Sequence, residues 1–253
     1  MDSLLTAFLV FVCVFSGALF GMYIRRVLPE EHLQADTKAV VGLSMGLIGT
    51  LTALLLAMVT SSAKETFDFE GNQLRQTAVN IMMLDRVLAD YGPETGEIRA
   101  SLRRGLEQRV AMTWSGNDSG PPVLQSPQAQ GSPFQLLLYV RQLAPQTDLQ
   151  RDLKSQALQQ IGEVLKARWM LVEETTATIP VPFLVVVVCW LTLIFASFGL
   201  FAPANATATA ALVICALSVA GSVFLITELN TPFSGLMKVS GAPLRYALSQ
   251  LGH

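Results

Sequence analysis

Three places in this 253-residue chain combine residue type and spacing in a way that bears on chemistry. Glu228 closes a run of 53 residues without a charged side chain, and Asn230, Thr231 and Pro232 follow it where the chain turns. A carboxylate there either anchors a helix end by solvation, or binds a cation or exposed backbone. Asp85 falls on an apolar helical stripe that runs from Phe67 through Leu74, Ala78, Ile81 and Leu88. A carboxylate on such a face must pair or protonate, and Arg75, Arg86, Arg109 and Arg168 are the candidate partners. An internal ion pair is the commoner outcome; a ring of vestibule charge, with Asp85 and Arg86 as its members, is the sharper one. The third place is a stripe of small residues. Gly42, Gly46, Gly49, Ala53 and Ala57 fall within about 80° of one another on a helix and Thr60 extends the line, while Leu43, Leu47, Leu51, Leu54 and Leu55 take the other side. Gly17 and Gly21 repeat a GxxxG spacing upstream. Such faces let helix backbones approach closely in lipid. They can also wall a pore whose apolar rings gate by dewetting.

Other chemistry is missing from the pattern. His32 and His253 have no ligand-spaced partner, and Cys13, Cys189 and Cys215 all sit in apolar runs without zinc or disulfide spacing. No paired carboxylates, Ser/His set or phosphate-binding glycine loop is present, so we expect no enzyme, no metal site and no cofactor. The acceptor-like triplets Asn117-Asp118-Ser119 and Asn205-Ala206-Thr207 carry no weight, and no basic patch points to nucleic acid.

The elements that hold these residues follow from the charges. Charge-free gaps of 22 residues between Asp2 and Arg25, 25 between Lys38 and Lys64, and 53 between Glu174 and Glu228 separate charge-rich segments. A bilayer core takes roughly 20 apolar helical residues, so the first two gaps fit one crossing each. The third breaks at Ala202-Pro203-Ala204-Asn205 into two. Four transmembrane helices are expected near Leu4–Ile24, Ala39–Thr60, Val181–Phe201 and Ala206–Ile226. A mean hydropathy of +0.47 and 14% charged residues agree, since soluble domains carry about a quarter charged. The first run lacks a basic n-region and is followed by Arg25-Arg26, which favours a retained helix over a cleaved signal.

The fold class expected is all-α: an integral membrane protein with two-plus-two crossings and a helical cytoplasmic domain between the second and third. Its parts would be a first helix pair (1–62), the helical domain (63–178), a second pair (179–227), and a membrane-edge turn with an interfacial C-terminal helix (228–253). The second membrane helix is expected to run on to Tyr91, where Gly92-Pro93 ends it. A helix through Ile98, Leu102, Leu106 and Val110 follows, then a mobile loop at 115–133 with four prolines and three glycines. Further helices are expected at Phe134–Leu143 and from Asp148 to Pro180. In the tail, Leu244, Leu248 and Leu251 share a face opposite Arg245, as in a helix lying on a membrane surface. Of the 17 Lys and Arg residues, 14 share the side of the middle domain and both termini. The positive-inside rule then puts the termini in the cytoplasm.

Two stretches resemble the bestrophin-like family of prokaryotic membrane proteins. One runs from Glu70 through Gln73-Leu74-Arg75 to Leu84-Asp85-Arg86-Val87-Leu88-Ala89-Asp90-Tyr91-Gly92-Pro93-Glu94. The other is Glu228-Leu229-Asn230-Thr231-Pro232-Phe233-Ser234-Gly235, followed by Val239-Ser240 and Pro243-Leu244. The resemblance implies kinship to bestrophins, which are pentameric ion channels with four-span protomers whose second crossing lines the pore. It makes the Gly42–Thr60 helix the candidate pore wall. Pro232, Phe233 and Gly235 echo the Pro-Phe-Gly element that follows the last bestrophin crossing, with one residue inserted. Bestrophins continue there with an acidic calcium-binding run. Leu236-Met237-Lys238-Val239 stands in its place, so calcium gating is not implied, and Asn230 stands where close relatives are expected to carry Asp.

The expectation is therefore a homo-oligomeric ion channel of the cell inner membrane, a pentamer by family analogy. Its partners would be the lipid bilayer and the permeant ion. The alternative is a membrane scaffold or sensor whose helical domain binds a cytoplasmic protein, with the small face packed dry inside one protomer. A secondary transporter fits less well, because no crossing carries an internal charge or a break.

Overall fold

The computed structural model describes residues 3–29, 34–114, 132–176, 181–203, 205–233 and 235–252, and all the secondary structure described is helical. The helices are α1 (Ser3–Val27), α2 (Ala35–Tyr91), α3 (Gly96–Trp114), α4 (Pro133–Gln142), α5 (Asp148–Thr176), α6 (Val181–Phe201), α7 (Ala206–Leu229) and α8 (Ala242–Gln250). A 3₁₀ turn at Pro93–Thr95 precedes α3. Four of them, α1, α2, α6 and α7, are long and apolar enough to cross a bilayer. The protein is all-α and membrane-spanning.

The second crossing and the helix beyond it are one element. α2 is 57 residues long, about 85 Å at 1.5 Å per residue. It ends where Gly92 takes φ +136, open to glycine alone, and Pro93 starts the 3₁₀ turn. Gln150 Nε2 donates to the freed Tyr91 carbonyl at 3.1 Å.

The chain divides into two compact units. The first is Met1–Glu65 with Ile179–Asn230; the second is Thr66–Thr178 with Thr231–His253. In the first unit α1 packs on both α6 and α7. Val10, Val14 and Ala18 of α1 share a core with Val187, Leu191 and Phe195 of α6 and Leu212, Ala216 and Val223 of α7. Close approach is needed at three glycines: a Cβ on Gly17 would lie 2.7 Å from the Thr192 carbonyl oxygen of α6. A Cβ on Gly21 would overlap the Ala196 carbonyl of α6, and one on Gly199 would overlap that of Ala18. The GxxxG spacing of α1 is a packing device. Arg25, at the end of α1, donates to the Ala202 carbonyl just past the end of α6.

In the second unit the apolar stripes of α2, α3, α4, α5 and α8 meet in one core, with Leu84, Leu88, Val140, Ile161 and Leu244 fully buried. Lys154 of α5 donates to the carbonyls of Arg141 and Leu143, each at 2.8 Å, and so caps the end of α4. Two expectations are corrected here. α4 starts at Pro133, with Ser132 as its N-cap, so these two residues open a helix instead of closing a loop; the rest of that loop, 115–131, including the Asn117 triplet, lies outside the described residues, as do His32, Pro180 and His253. The tail helix does not keep its apolar face for a membrane surface. Leu244 and Leu251 of that face are buried in the core of the second unit, with Leu248 packed against it. Five helices there have stripes to cover, and α8 closes the bundle.

Candidate functional site

The small-residue stripe of α2 is open. A Cβ built on Gly42 or Gly46 meets nothing within 4 Å, one on Gly49 only just reaches Ile194 Cδ1 at 4.0 Å, and Ala53, Ala57 and Thr60 are exposed. α2 holds its own unit by a third face, which sequence reasoning did not single out. Met45, Ile48, Leu55, Leu56 and Val59 are partly covered and Thr52 is buried, its hydroxyl donating to the Ile48 carbonyl at 2.7 Å. These residues recur at three- and four-residue steps, so they form one edge. Among plain aliphatic side chains in a helix apolar all round, nothing marks which edge a neighbour covers. Leu43, Leu47 and Leu54 lie on the far side and are at least 65% exposed. Only 6% of the α2 crossing is buried, against 28–33% for the other three.

Asp85 is buried and bidentate. Arg99 Nε donates to Oδ1 at 2.7 Å and Nη2 to Oδ2 at 2.8 Å. The Gly252 amide also approaches Oδ2, at 3.4 Å. The hydrogen bond to Asp85 raises the Arg99 pKa and outweighs the opposing effect of burial. The partner is none of the four arginines expected. Arg75 instead donates to Asn72 Oδ1 at 2.8 Å, and Arg86 pairs with Asp90 at 3.5 Å on the exposed face of α2. Arg99 comes from α3, which turns back along α2 after Gly92, and 14 residues of separation hid it from helical spacing.

Glu228 is also buried, at 2% exposure, in the first unit. Ser3 Oγ donates to its carboxylate from the start of α1, so it is not a solvated anchor. Asn230 caps α7, its amide reaching the Ile226 carbonyl at 3.2 Å. Pro232, Phe233 and Gly235 belong to the second unit, in a loop that Val239 N closes onto Pro232 O at 2.7 Å. Gly235 has φ +82, which explains a glycine there. The Trp114 indole donates to Val239 O at 3.0 Å, and a Cβ on Gly241 would lie 2.7 Å from that ring. No cluster of three or more metal-ligating side chains occurs among the described residues.

Residues 12–244 match the family model described as the bestrophin-like domain. The structure resembles the crystal structure of a point-mutated bacterial bestrophin homolog from Klebsiella pneumoniae, with a TM-score of 0.61 and 15% identity over 96% of this chain and 97% of that one. At that identity the likeness is one of fold. No curated protein sequence matches the chain.

Proposed function

The chain belongs to the bestrophin-like family, and from that premise we propose that it is the subunit of a homo-oligomeric ion channel in the inner membrane, conducting along α2. The observation that carries this reading is the openness of the α2 crossing within one protomer. Three crossings find partners in their own unit; the fourth keeps two faces for something else. A ring of subunits with α2 innermost gives both faces a use, and a ring of five follows the family by analogy. The scaffold reading expected the small face to be packed inside a protomer, and Gly42 and Gly46 stand in open space.

In such a ring the edge at Met45, Ile48, Thr52, Leu56 and Val59 turns outward onto its own helices. The surface opposite, at 100° per residue, is where the small flank meets the leucine line, at Leu43, Thr50, Leu54 and Ala57. Gly42, Gly46, Gly49 and Ala53 then lie between neighbouring copies of α2 or line the path beside them, with Thr60 at the end of the stripe. Small side chains allow close approach, and leucines facing an axis gate by dewetting. The termini and the second unit are cytoplasmic on the Lys and Arg distribution. Asp85, neutralised by Arg99, braces the second unit, and Arg86 and Asp90 carry the exposed charge of α2. Glu228, Asn230 and the Pro232–Gly235 loop are the turn that returns the chain from the membrane.

The test is ion flux from liposomes and single-channel recording in planar bilayers. Gly49→Leu and Ala53→Phe should lower conductance, and Leu54→Ser should open the path or prolong its openings. Absence of flux at any voltage, pH or tension would rule the channel out.

A further inference from the structure

We propose that the cleft between α3 and α4 in the second unit binds a small organic ammonium ion. The cleft has a volume of about 390 Å³, within the roughly 300–1,000 Å³ of small-molecule sites. Glu97, Ser101 and Arg104 follow one another at steps of four and three on α3, so one face of the helix presents all three. Tyr139 and Gln142 line the cleft from α4, and Glu94 joins them from the 3₁₀ turn. Ser101 is the member that points to a ligand. Other helical hydroxyls, those of Thr52, Thr77 and Ser218 among them, donate to the carbonyl four residues back. Ser101 is nine-tenths buried, at 9% exposure, yet its hydroxyl makes no hydrogen bond with any described residue. A buried hydroxyl without a partner is unfavourable, and this one borders a space that a ligand can fill.

The charges and acceptors of the lining name the class of ligand. Glu94 and Glu97 form no hydrogen bond or ion pair with any described residue, and a carboxylate only accepts. Arg104 is the one cation among the described lining residues, and its Nε already donates to the Ala100 carbonyl at 3.3 Å. Two carboxylates thus stand against one guanidinium, with the oxygens of Ser101 and Gln142 beside them. An ammonium group has three N–H donors and no acceptor, so it can serve a carboxylate and both neutral oxygens at once. The exposed ring of Tyr139 adds a surface that attracts a cation. A diamine or a basic amino acid could supply the group, the carboxylate of the latter falling to the outer N–H groups of Arg104. This inference goes beyond the channel reading and does not depend on it.

Putrescine and lysine are the probes. Each is titrated into full-length protein in a nonionic detergent by isothermal calorimetry, with sodium chloride holding the ionic strength constant. The wild type should bind at least one of them saturably. A response to putrescine alone identifies a diamine, and a preference for lysine that Arg104→Gln removes identifies an amino acid. Glu97→Gln should weaken binding roughly tenfold or more, as expected for the loss of a hydrogen bond between charged groups. Should that variant fail to fold, Glu94→Gln serves in its place. Ser101→Ala should weaken binding several-fold and leave the ligand-free Tm unchanged or higher, because the hydroxyl has no partner among the described residues. Glu107, paired with Arg103, lies on α3 outside the cleft, so Glu107→Gln should bind as the wild type does. A wild type that binds neither probe overturns the site, as does wild-type affinity in Glu97→Gln or Ser101→Ala. A loss in Glu107→Gln as large as that in Glu97→Gln also overturns it, since it would mark a general attraction to an acidic surface.

Discussion

Asp85 and Arg99 illustrate what a single misplaced charge does when its partner arrives from another helix. With side-chain exposures of 8% and 24%, the pair is largely withdrawn from water. Asp85→Ala leaves the guanidinium without its carboxylate and should cost about 3 kcal/mol, read as a fall in Tm of the detergent-solubilised protein. Asp85→Leu with Arg99→Met should recover most of that loss, because desolvation offsets much of a buried pair's attraction. Tyr91 gives the opposite case. Its hydroxyl is buried with no hydrogen-bond partner among the described residues, and burial, then the Glu94 charge, raises its pKa. Tyr91→Phe should hold or raise stability by up to about 1 kcal/mol. The raised pKa means that the folded state favours the neutral phenol. The wild type should therefore lose stability as pH climbs from 10.0 towards the folded-state value, and the Phe variant should lack that part of the loss.

At the scale of helices, the same small residues do two different jobs, and only their neighbours tell them apart. Gly21 of α1 lies against the backbone of α6, so Gly21→Ala forces two packed helices apart and should cost about 1–3 kcal/mol. Gly46 of α2 has open space around it, so Gly46→Ala should leave the protomer's thermal stability unchanged. Its effect should appear in subunit association or conductance, measured by native mass spectrometry and bilayer recording. A Gly46→Ala protomer that unfolds earlier than wild type, with assembly intact, would assign the stripe to intramolecular packing. Cysteine scanning of α2 at Leu43, Thr50 and Ala57 would map the axis-facing surface, once the exposed native Cys13, Cys189 and Cys215 are replaced.

For the whole molecule, the division into two units gives the tail a part that its amphipathic pattern does not specify. Trp114 holds Val239, Gly241 fits under the indole, and Leu244 and Leu251 complete a core begun by α2. Truncation after Pro232 should therefore expose the core of the second unit and produce aggregation or faster proteolysis of the helical domain, seen by limited trypsin digestion. A tail that served only to rest on lipid would come away without that effect.

The four crossings, the all-helical class and the run of α2 on to Tyr91 were legible in the chain. Charge-free length and the Gly92-Pro93 break are local properties, and a bilayer leaves few ways to satisfy a long apolar segment. Resemblance in the Asp85 and Glu228 stretches pointed to the right family for the same reason: the motifs are contiguous. What the chain could not specify was which surfaces meet. Arg99 for Asp85, Ser3 for Glu228, the Met45–Val59 edge of α2 and the burial of α8 all depend on helices far apart in sequence. In a helix apolar on every side, periodicity does not choose a face. The choice is made by shape, as backbones close at Gly21 and Gly199 and leave Gly42 and Gly46 uncovered.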